Sequence, residues 1–471
     1  MKICHTASLA LAASLLAATS AYSESKPVKV YIMAGQSNMV GIGQVNGGGT
    51  RWGGEFTDPV LSVYEGEYDP AADYDALKAV STLKLESFGG TSPTPYPGGG
   101  VQVVRGEVAM PETGVYEFRP GYGASADNIM MVDGKEVYRK EAGKNPVHVQ
   151  MKLEAGKKLP FKITYLNKDA GGLGWYARVD IPGTLSTVVK QDGKFPHLID
   201  EDGNWKSRDD VYYKGVVTAT ADKWLAPGCG AGENNIGPEL GFGNIIGDYH
   251  EEPVLLLKAS QGNRSLAWDF LPPGSERFEI GDTVYAGYKD TPDSWKKGTE
   301  PVPVDWYAGK QYDDCFQAAH EVLKNFDGKF PDWKERGYEI AGFVWWQGHK
   351  DQGSAVHAER YEQNLVRLIK SLREEFKAPD APFVVGTIGF GGWEMAGNAV
   401  TVANAQLAVS GEKGKYPEFK GNVKSVETRD FWRPADQSPK DQDFHYNQNA
   451  ETYMLVGEAL GKGMLELLEK K

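Results

Sequence analysis

Ser37 stands where a nucleophile could be presented. The run Val28-Lys29-Val30-Tyr31-Ile32-Met33-Ala34-Gly35 reads as a buried strand ending in a glycine turn, and Gln36-Ser37-Asn38-Met39 follows at its carboxyl end. A serine hydroxyl becomes a nucleophile near neutral pH only when a base takes its proton. Imidazole is the natural base, and the chain has eight histidines from which to choose. His5 lies in the leader described below. His148 falls in a β-rich stretch, His197 in a proline-flanked loop, and His320 and His357 on helices. His250 enters a strand at its amino end, the wrong edge of a parallel sheet. His445 immediately precedes the final helix at the expected edge and is the best base, with His349 as the fallback.

In an open parallel sheet, sites form beyond the carboxyl ends of the strands. Gly262 follows the apolar strand Pro253–Ala259, and Gln347 follows Ile340–Trp346. The backbone N–H groups of Ser37 and Gly262 and the side-chain amide of Gln347 could together hold the oxyanion of a tetrahedral intermediate. A serine after one strand commonly serves only as a turn or cap. Four polar or glycine positions at four sheet ends make an acyl-transfer site the better reading.

The elements around these residues alternate. Helices are expected over Gln311–Phe326, Ala355–Phe376 and Asn449–Leu468, and further strands over Phe383–Ile388 and Val423–Val426. Fully apolar strands alternating with helices imply a parallel sheet covered on both faces. From about Thr50 to Gly183 the rhythm differs. Short strand-like runs (Val101–Val108, Gly114–Arg119, Asn128–Val132, Val147–Leu153, Leu159–Leu166 and Gly174–Ile181) are separated by turn signals, with Asp133-Gly134 as a hairpin turn. The expected architecture is therefore α/β, with an all-β sandwich at 50–183 inserted between 24–49 and 184–471.

Four blocks in order carry a resemblance: Ala34-Gly35-Gln36-Ser37-Asn38-Met39, Gly237-Pro238-Glu239-Leu240-Gly241-Phe242-Gly243, Trp345-Trp346-Gln347-Gly348-His349-Lys350-Asp351, and His445-Tyr446-Asn447. They resemble the sialate O-acetylesterase domain family, related to carbohydrate esterase family six, within the SGNH hydrolases. The resemblance implies a flavodoxin-like three-layer α/β/α fold. It also implies a secreted esterase that removes O-acetyl groups from carbohydrates through an acetyl-serine intermediate, with no cofactor and no metal. By it, Ser37 is the nucleophile and His445 the base. Ser37, Gly262 and Gln347 form the oxyanion hole, and Gln36, Asn38, Glu239 and Asp351 orient groups or contact substrate. The family's acid normally stands three residues before the histidine. Here Gln442 occupies that place, between Asp441 and Asp443. Either Asp443, the better placed of the two, supplies the acid, or serine and histidine act as a dyad oriented by a backbone carbonyl. The insertion resembles the β-sandwich first seen in anthrax protective antigen, through Gly114-Val115-Tyr116-Glu117-Phe118, Asn128–Gly134, Leu153-Glu154-Ala155-Gly156 and Phe161-Lys162-Ile163-Thr164-Tyr165.

Composition sets the remaining bounds. A net charge of −13 argues against nucleic acid and suits a neutral, hydroxyl-rich partner such as an acetylated oligo- or polysaccharide. Lys2, the small apolar run Ala7–Ala18 and Thr19-Ser20-Ala21 read as a signal peptide over 1–23, hence export to the periplasm or medium. No later apolar run is long enough to span a bilayer. Cys229 and Cys315 either pair in that oxidising setting or stand as separate buried thiols. Two other readings are a glycan-binding protein with a relic site, and a lipase-like SGNH esterase.

Overall fold

Strands that are apolar on both faces must be covered on both, and the longest such runs here lie side by side. The computed structural model describes residues 26–47, 50–69, 71–85, 100–120, 127–141, 143–166 and 174–470. The expected signal peptide lies outside them. In chain order the elements that build the site are β1 (Val28–Gly35), α1 (Ser37–Val40), β2 (Val211–Val217), β3 (Asp222–Trp224), α2 (Glu239–Tyr249), β4 (Val254–Ser260), α3 (Lys310–Lys324), β5 (Tyr338–Trp346), α4 (Ala355–Glu375), β6 (Phe383–Gly386), α5 (Asn398–Ala408), β7 (Val423–Val426) and α6 (Ala450–Leu468).

One sheet has the order β3-β2-β4-β1-β5-β6-β7. All neighbours in it run parallel except the edge pair β2 and β3. β1 lies at its centre, and the chain crosses from one side of β1 to the other between β4 and β5. Such a switch in strand order opens a crevice at the carboxyl ends. Helix α2 packs on α6, α3 packs on β4 and β2, and α4 packs on α5. The main core runs through Ile32, Leu256, Phe343, Trp345, Leu365 and Leu460, each at most 1% exposed.

The described residues between 50 and 178 form two antiparallel sheets of seven and four strands. They share a core of their own around Trp52, Phe56, Phe118, Phe161 and Tyr165. The hairpin at Asp133-Gly134 is as expected: Val132 pairs with Lys135, and both turn residues have positive φ, 50° and 74°. The run expected as one strand over Val147–Leu153 is instead two. Val147–His148 pairs with Lys135–Lys140 in the larger sheet, and Met151–Leu153 with Gly114–Arg119 in the smaller. The chain changes sheets between them. A three-stranded sheet (Phe278–Ile280, Thr283–Tyr285, Ser294–Lys296) between β4 and α3 was not anticipated. Cys229 and Cys315 are both free and buried. Among the described residues no helix is long and apolar enough to cross a membrane, and no cluster of metal-ligating side chains occurs.

Candidate active site

Sheet register brings the expected residues to one level. Gly35, the last residue of β1, pairs with Ser260 on one side and Trp346 on the other. Ser37, Gly262 and Gln347 therefore leave three adjacent strands within two residues of the same line. The close approach requires glycine at 35. Its φ is 154°, and a Cβ there would lie 2.1 Å from the Trp346 carbonyl oxygen. Ser37 then opens the single turn of α1, closed by Val40 N–H to Gln36 O (2.9 Å) and Gly41 N–H to Ser37 O (3.0 Å). It is the one half-buried residue between Val30 and Val40. A Cβ on Gly262 would sit 3.7 Å from the Ser37 Cβ, so the two lie side by side. Among the described residues, neither the Ser37 nor the Gly262 N–H is taken up by a hydrogen bond.

His445 reaches this edge on a tight loop before α6. Tyr446, Asn447 and Gln448 are successive left-handed residues, at φ 51°, 53° and 58°. Left-handed non-glycine residues cost about 1–3 kcal/mol each and persist only where the surroundings hold them. Here Asn447 Oδ1 accepts the Gln442 N–H (2.7 Å), Asn447 Nδ2 donates to Arg433 O (3.0 Å), and the buried Tyr446 hydroxyl accepts the Gly389 N–H (2.9 Å). The loop is tied to the serine turn through Asn38. Asn38 Nδ2 donates to Phe444 O (3.3 Å), and its Oδ1 accepts from the Tyr453 hydroxyl (2.9 Å), which also lies 3.3 Å from His445 O. Ser37 and His445 form no direct hydrogen bond. Such contacts are commonly loose without substrate and tighten when it binds. Burial, and secondarily His349, lower the His445 imidazole to about 4.

The acid expected at Asp443 is not where the structure puts a partner. Asp443 is exposed and makes no hydrogen bond to His445, and Asp441 is likewise exposed. The Nδ1 of His445 instead faces Gln442 Oε1 at 3.3 Å. A residue one place along the chain carries its side chain to another side.

Gln347 also departs from expectation. Its Nε2 donates inward, to Arg264 O (2.9 Å) and Asp351 Oδ2 (2.6 Å), with Gln36 Oε1 at 3.1 Å, and the residue is 1% exposed. With two amide hydrogens so committed, none is left for an oxyanion. Its Oε1 accepts from the Tyr361 hydroxyl at 2.9 Å. The four expected substrate contacts are closed to solvent as well. Gln36 Oε1 gathers the N–H groups of Gly348 (3.3 Å) and Lys350 (3.2 Å). Asp351 accepts Leu266 N–H and Ala267 N–H, each at 2.9 Å. Asn38 ties the two loops as described. Glu239 is fully buried, bonded to Gly237 N–H (2.8 Å) and Lys258 (2.7 Å). These residues orient the site from beneath.

Two features were missed in sequence. Lys258, within the apolar strand β4, is 0% exposed and donates to Val40 O (2.8 Å) at the end of the Ser37 turn. A lysine inside an otherwise apolar strand was its signal, since lysine is almost never fully buried unpaired. In the loop after β6, Trp393 is 63% exposed, with Arg429 over its ring at 4.1 Å and its Nε1 bonded to Asp430 (2.6 Å). On the same loop Phe390 contacts the His349 ring. No sequence feature distinguished Trp393 from a core tryptophan.

No curated protein matches the chain. Among solved structures, a protein from Arabidopsis thaliana is similar at 18% identity, over 56% of this chain and 88% of that one, with a TM-score of 0.34. A carbohydrate acetylesterase from Xanthomonas citri matches at 12% identity, over 77% and 72%, with a TM-score of 0.33. NanS matches at 10% identity, over 95% and 99%, with a TM-score of 0.33. The family described as carbohydrate esterase, sialic acid-specific acetylesterase, matches residues 204–466, a span that holds Glu239, Gly262, Gln347 and His445. Matched over more than half its length, the chain belongs to this family of sialic acid-specific acetylesterases and is a carboxylic ester hydrolase.

Proposed function

We propose that the protein is an exported serine esterase that removes O-acetyl groups from carbohydrates through an acetyl-serine intermediate. The observation that carries this reading is the pair of uncommitted N–H groups, Ser37 and Gly262, beside a half-buried serine hydroxyl at the switch point of the sheet. His445 Nε2 takes the Ser37 proton as Oγ attacks the acetyl carbonyl. The tetrahedral oxyanion forms against the two N–H groups. The histidine then gives the proton to the sugar oxygen, and the freed alcohol departs. Water, deprotonated by the same imidazole, releases acetate. Each oxyanion donor contributes about 10²–10³-fold in turnover. In this reading residues 24–49 and 184–471 form an SGNH-type three-layer α/β/α unit. It is interrupted by the β-sandwich of 50–183, and residues 1–23 are removed on export. The substrate is an acetylated oligo- or polysaccharide. The test is acetate release from a panel of O-acetylated glycans by wild type and Ser37→Ala. Release by the first and none above background by the second supports it. Equal release by both sinks it.

A further inference from the structure

The position where the resemblance implies an aspartate is filled by a chain of neutral amides. Gln44 Nε2 donates to Gln448 Oε1 at 2.6 Å, and Gln448 Nε2 donates to Gln442 Oε1 at 2.6 Å. The same Gln442 oxygen lies 3.3 Å from His445 Nδ1. The left-handed run at Tyr446, Asn447 and Gln448 is what folds Gln448 back onto Gln442 across six residues of chain. The backbone of Gln442 is held by the same loop: its N–H goes to Asn447 Oδ1, and its carbonyl accepts the His445 N–H at 2.9 Å.

A primary amide beside imidazole has two polarities, with opposite consequences. If its NH2 faces Nδ1, the ring must carry its proton on Nε2 and cannot act as base toward serine. That wrong tautomer is the reason a carboxamide put in place of a triad carboxylate lowers turnover by about 10⁴-fold. If its carbonyl faces Nδ1, the ring carries Nδ1–H and Nε2 is left with a lone pair. Here Gln448 presents NH2 to Gln442, so the shared oxygen is an acceptor for both Gln448 and His445. Gln44 in turn presents NH2 to Gln448, whose carbonyl is thereby engaged and whose NH2 is directed at Gln442. Three amides turn in one sense, and the last aims a carbonyl at the imidazole.

We propose that Gln442 is the positioning residue for His445, its carbonyl held toward Nδ1 by the Gln448–Gln44 relay, so that the site works as a triad with a neutral third member. The proposal rests on the reading of Ser37 and His445 above. When His445 Nε2 takes the Ser37 proton, Nδ1–H stays on the ring and donates to Gln442, and no proton passes to the glutamine. The imidazolium is stabilised by an amide dipole and not by a charge. The titratable groups around His445 fit this arrangement. His349, from the loop after β5, disfavours the imidazolium. Tyr453, from α6, faces the His445 carbonyl and is buried. On its own loop Asp441 and Asp443 are exposed and unbonded to the ring. No carboxylate offsets the cost of charging the ring.

The experiment is the pH dependence of 4-nitrophenyl acetate hydrolysis by the full chain and by Gln442→Glu, Gln442→Leu and Gln448→Leu. Gln442→Glu supplies an acceptor that cannot present the wrong polarity. It is expected to keep kcat within about ten-fold of wild type and to move the acid limb of kcat/KM upward by about one pH unit or more. Gln442→Leu is expected to lose about 10²–10³-fold in kcat, and Gln448→Leu about ten-fold, with KM little changed in both. An acid limb that stays put in Gln442→Glu overturns the proposal, as do leucine variants that both turn over within about two-fold of wild type. The glutamate variant carries the test if a leucine variant does not fold. Ser37→Ala separates the two layers: turnover that survives it refutes the serine mechanism whatever the glutamine variants do.

Discussion

Lys258→Met should both unfold the protein more easily and slow it, and the structure says by how much. The Lys258 ammonium and the Glu239 carboxylate are each 0% exposed and 2.7 Å apart. The ammonium also donates to Val40 O at 2.8 Å and lies 3.4 Å from Cys229 O. Removing the cation leaves a buried carboxylate with, among the described residues, the Gly237 N–H (2.8 Å) as its hydrogen-bond partner. Breaking a buried pair from one side costs about 3–5 kcal/mol. At about 2–4 °C per kcal/mol for a unit of this size, the midpoint of thermal unfolding should fall by roughly 6–20 °C. The buried indoles of Trp345 and Trp346 in the same sheet supply the fluorescence signal. The double variant Lys258→Met, Glu239→Met removes both charges. It loses the hydrogen bonds at Val40, Cys229 and Gly237, about 1–3 kcal/mol each, so the two single losses should not add but couple by about 1–3 kcal/mol. Turnover follows a different route. Val40 closes the turn that begins at Ser37, and a displacement of about 1 Å in a reacting group can cost about 100-fold. Loss of less than about 1 kcal/mol in Lys258→Met, or strict additivity in the double variant, would refute the argument that this pair braces the serine turn.

Other outcomes are expected. The base must be neutral to act, and burial with His349 holds the His445 imidazole at about 4 against an ordinary 6.5, so the acid limb of kcat/KM should lie near pH 4. His349→Gln removes the like charge that contributes to that depression and should move the limb upward, as a pH profile would show. Trp393 presents one face to solvent while Arg429 covers the other, so Trp393→Ala should raise KM for an acetylated oligosaccharide about ten-fold, ~1.4 kcal/mol, with kcat nearly kept. Burial pushes Cys229 up to about 11 and Cys315 up to about 12, so in the native protein both should resist a thiol reagent at pH 8 and react once urea is added. Gly35→Ala should yield no folded esterase in a soluble-expression and activity assay, because its Cβ would overlap the Trp346 carbonyl at 2.1 Å.

What could be read from the chain, and what could not, divides along a physical line. The ends of β1, β4 and β5 were legible because each is a mostly apolar run that leads into a polar or glycine residue. The parallel register then places Ser37, Gly262 and Gln347 together without further information. The Asp133-Gly134 turn was legible because its two residues are those that accept positive φ. The crossing of Val147–Leu153 from one sheet to the other was not, since either half fits a strand and only tertiary pairing separates them. Gln347, Glu239 and Asp351 lie under the loops at this sheet edge with their polar groups turned inward. Residue type does not say whether an amide or carboxylate faces solvent or the loops beneath it.

Gln442 shows the limit most sharply, and the reason is energetic. A carboxylate would have announced itself by charge, because an anion facing an imidazole is favourable at almost any orientation of its two equivalent oxygens. An amide is useful only in one of two orientations, and that orientation is set by Gln448 and Gln44, residues far apart in sequence that no spacing rule connects. The contact also depends on Tyr446, Asn447 and Gln448 adopting left-handed backbone, which tyrosine and glutamine seldom do, so no local propensity points to it. The loop accepts that conformational cost because Asn447 and Tyr446 anchor it to Arg433 and Gly389 from outside. The neutral relay is in turn consistent with where His445 sits. In a half-buried position beside His349, a ring without a counter-anion stays uncharged until well into acid, as the value of about 4 reflects. A carboxylate at 442 would favour the charged ring and narrow the acid range in which His445 remains a free base.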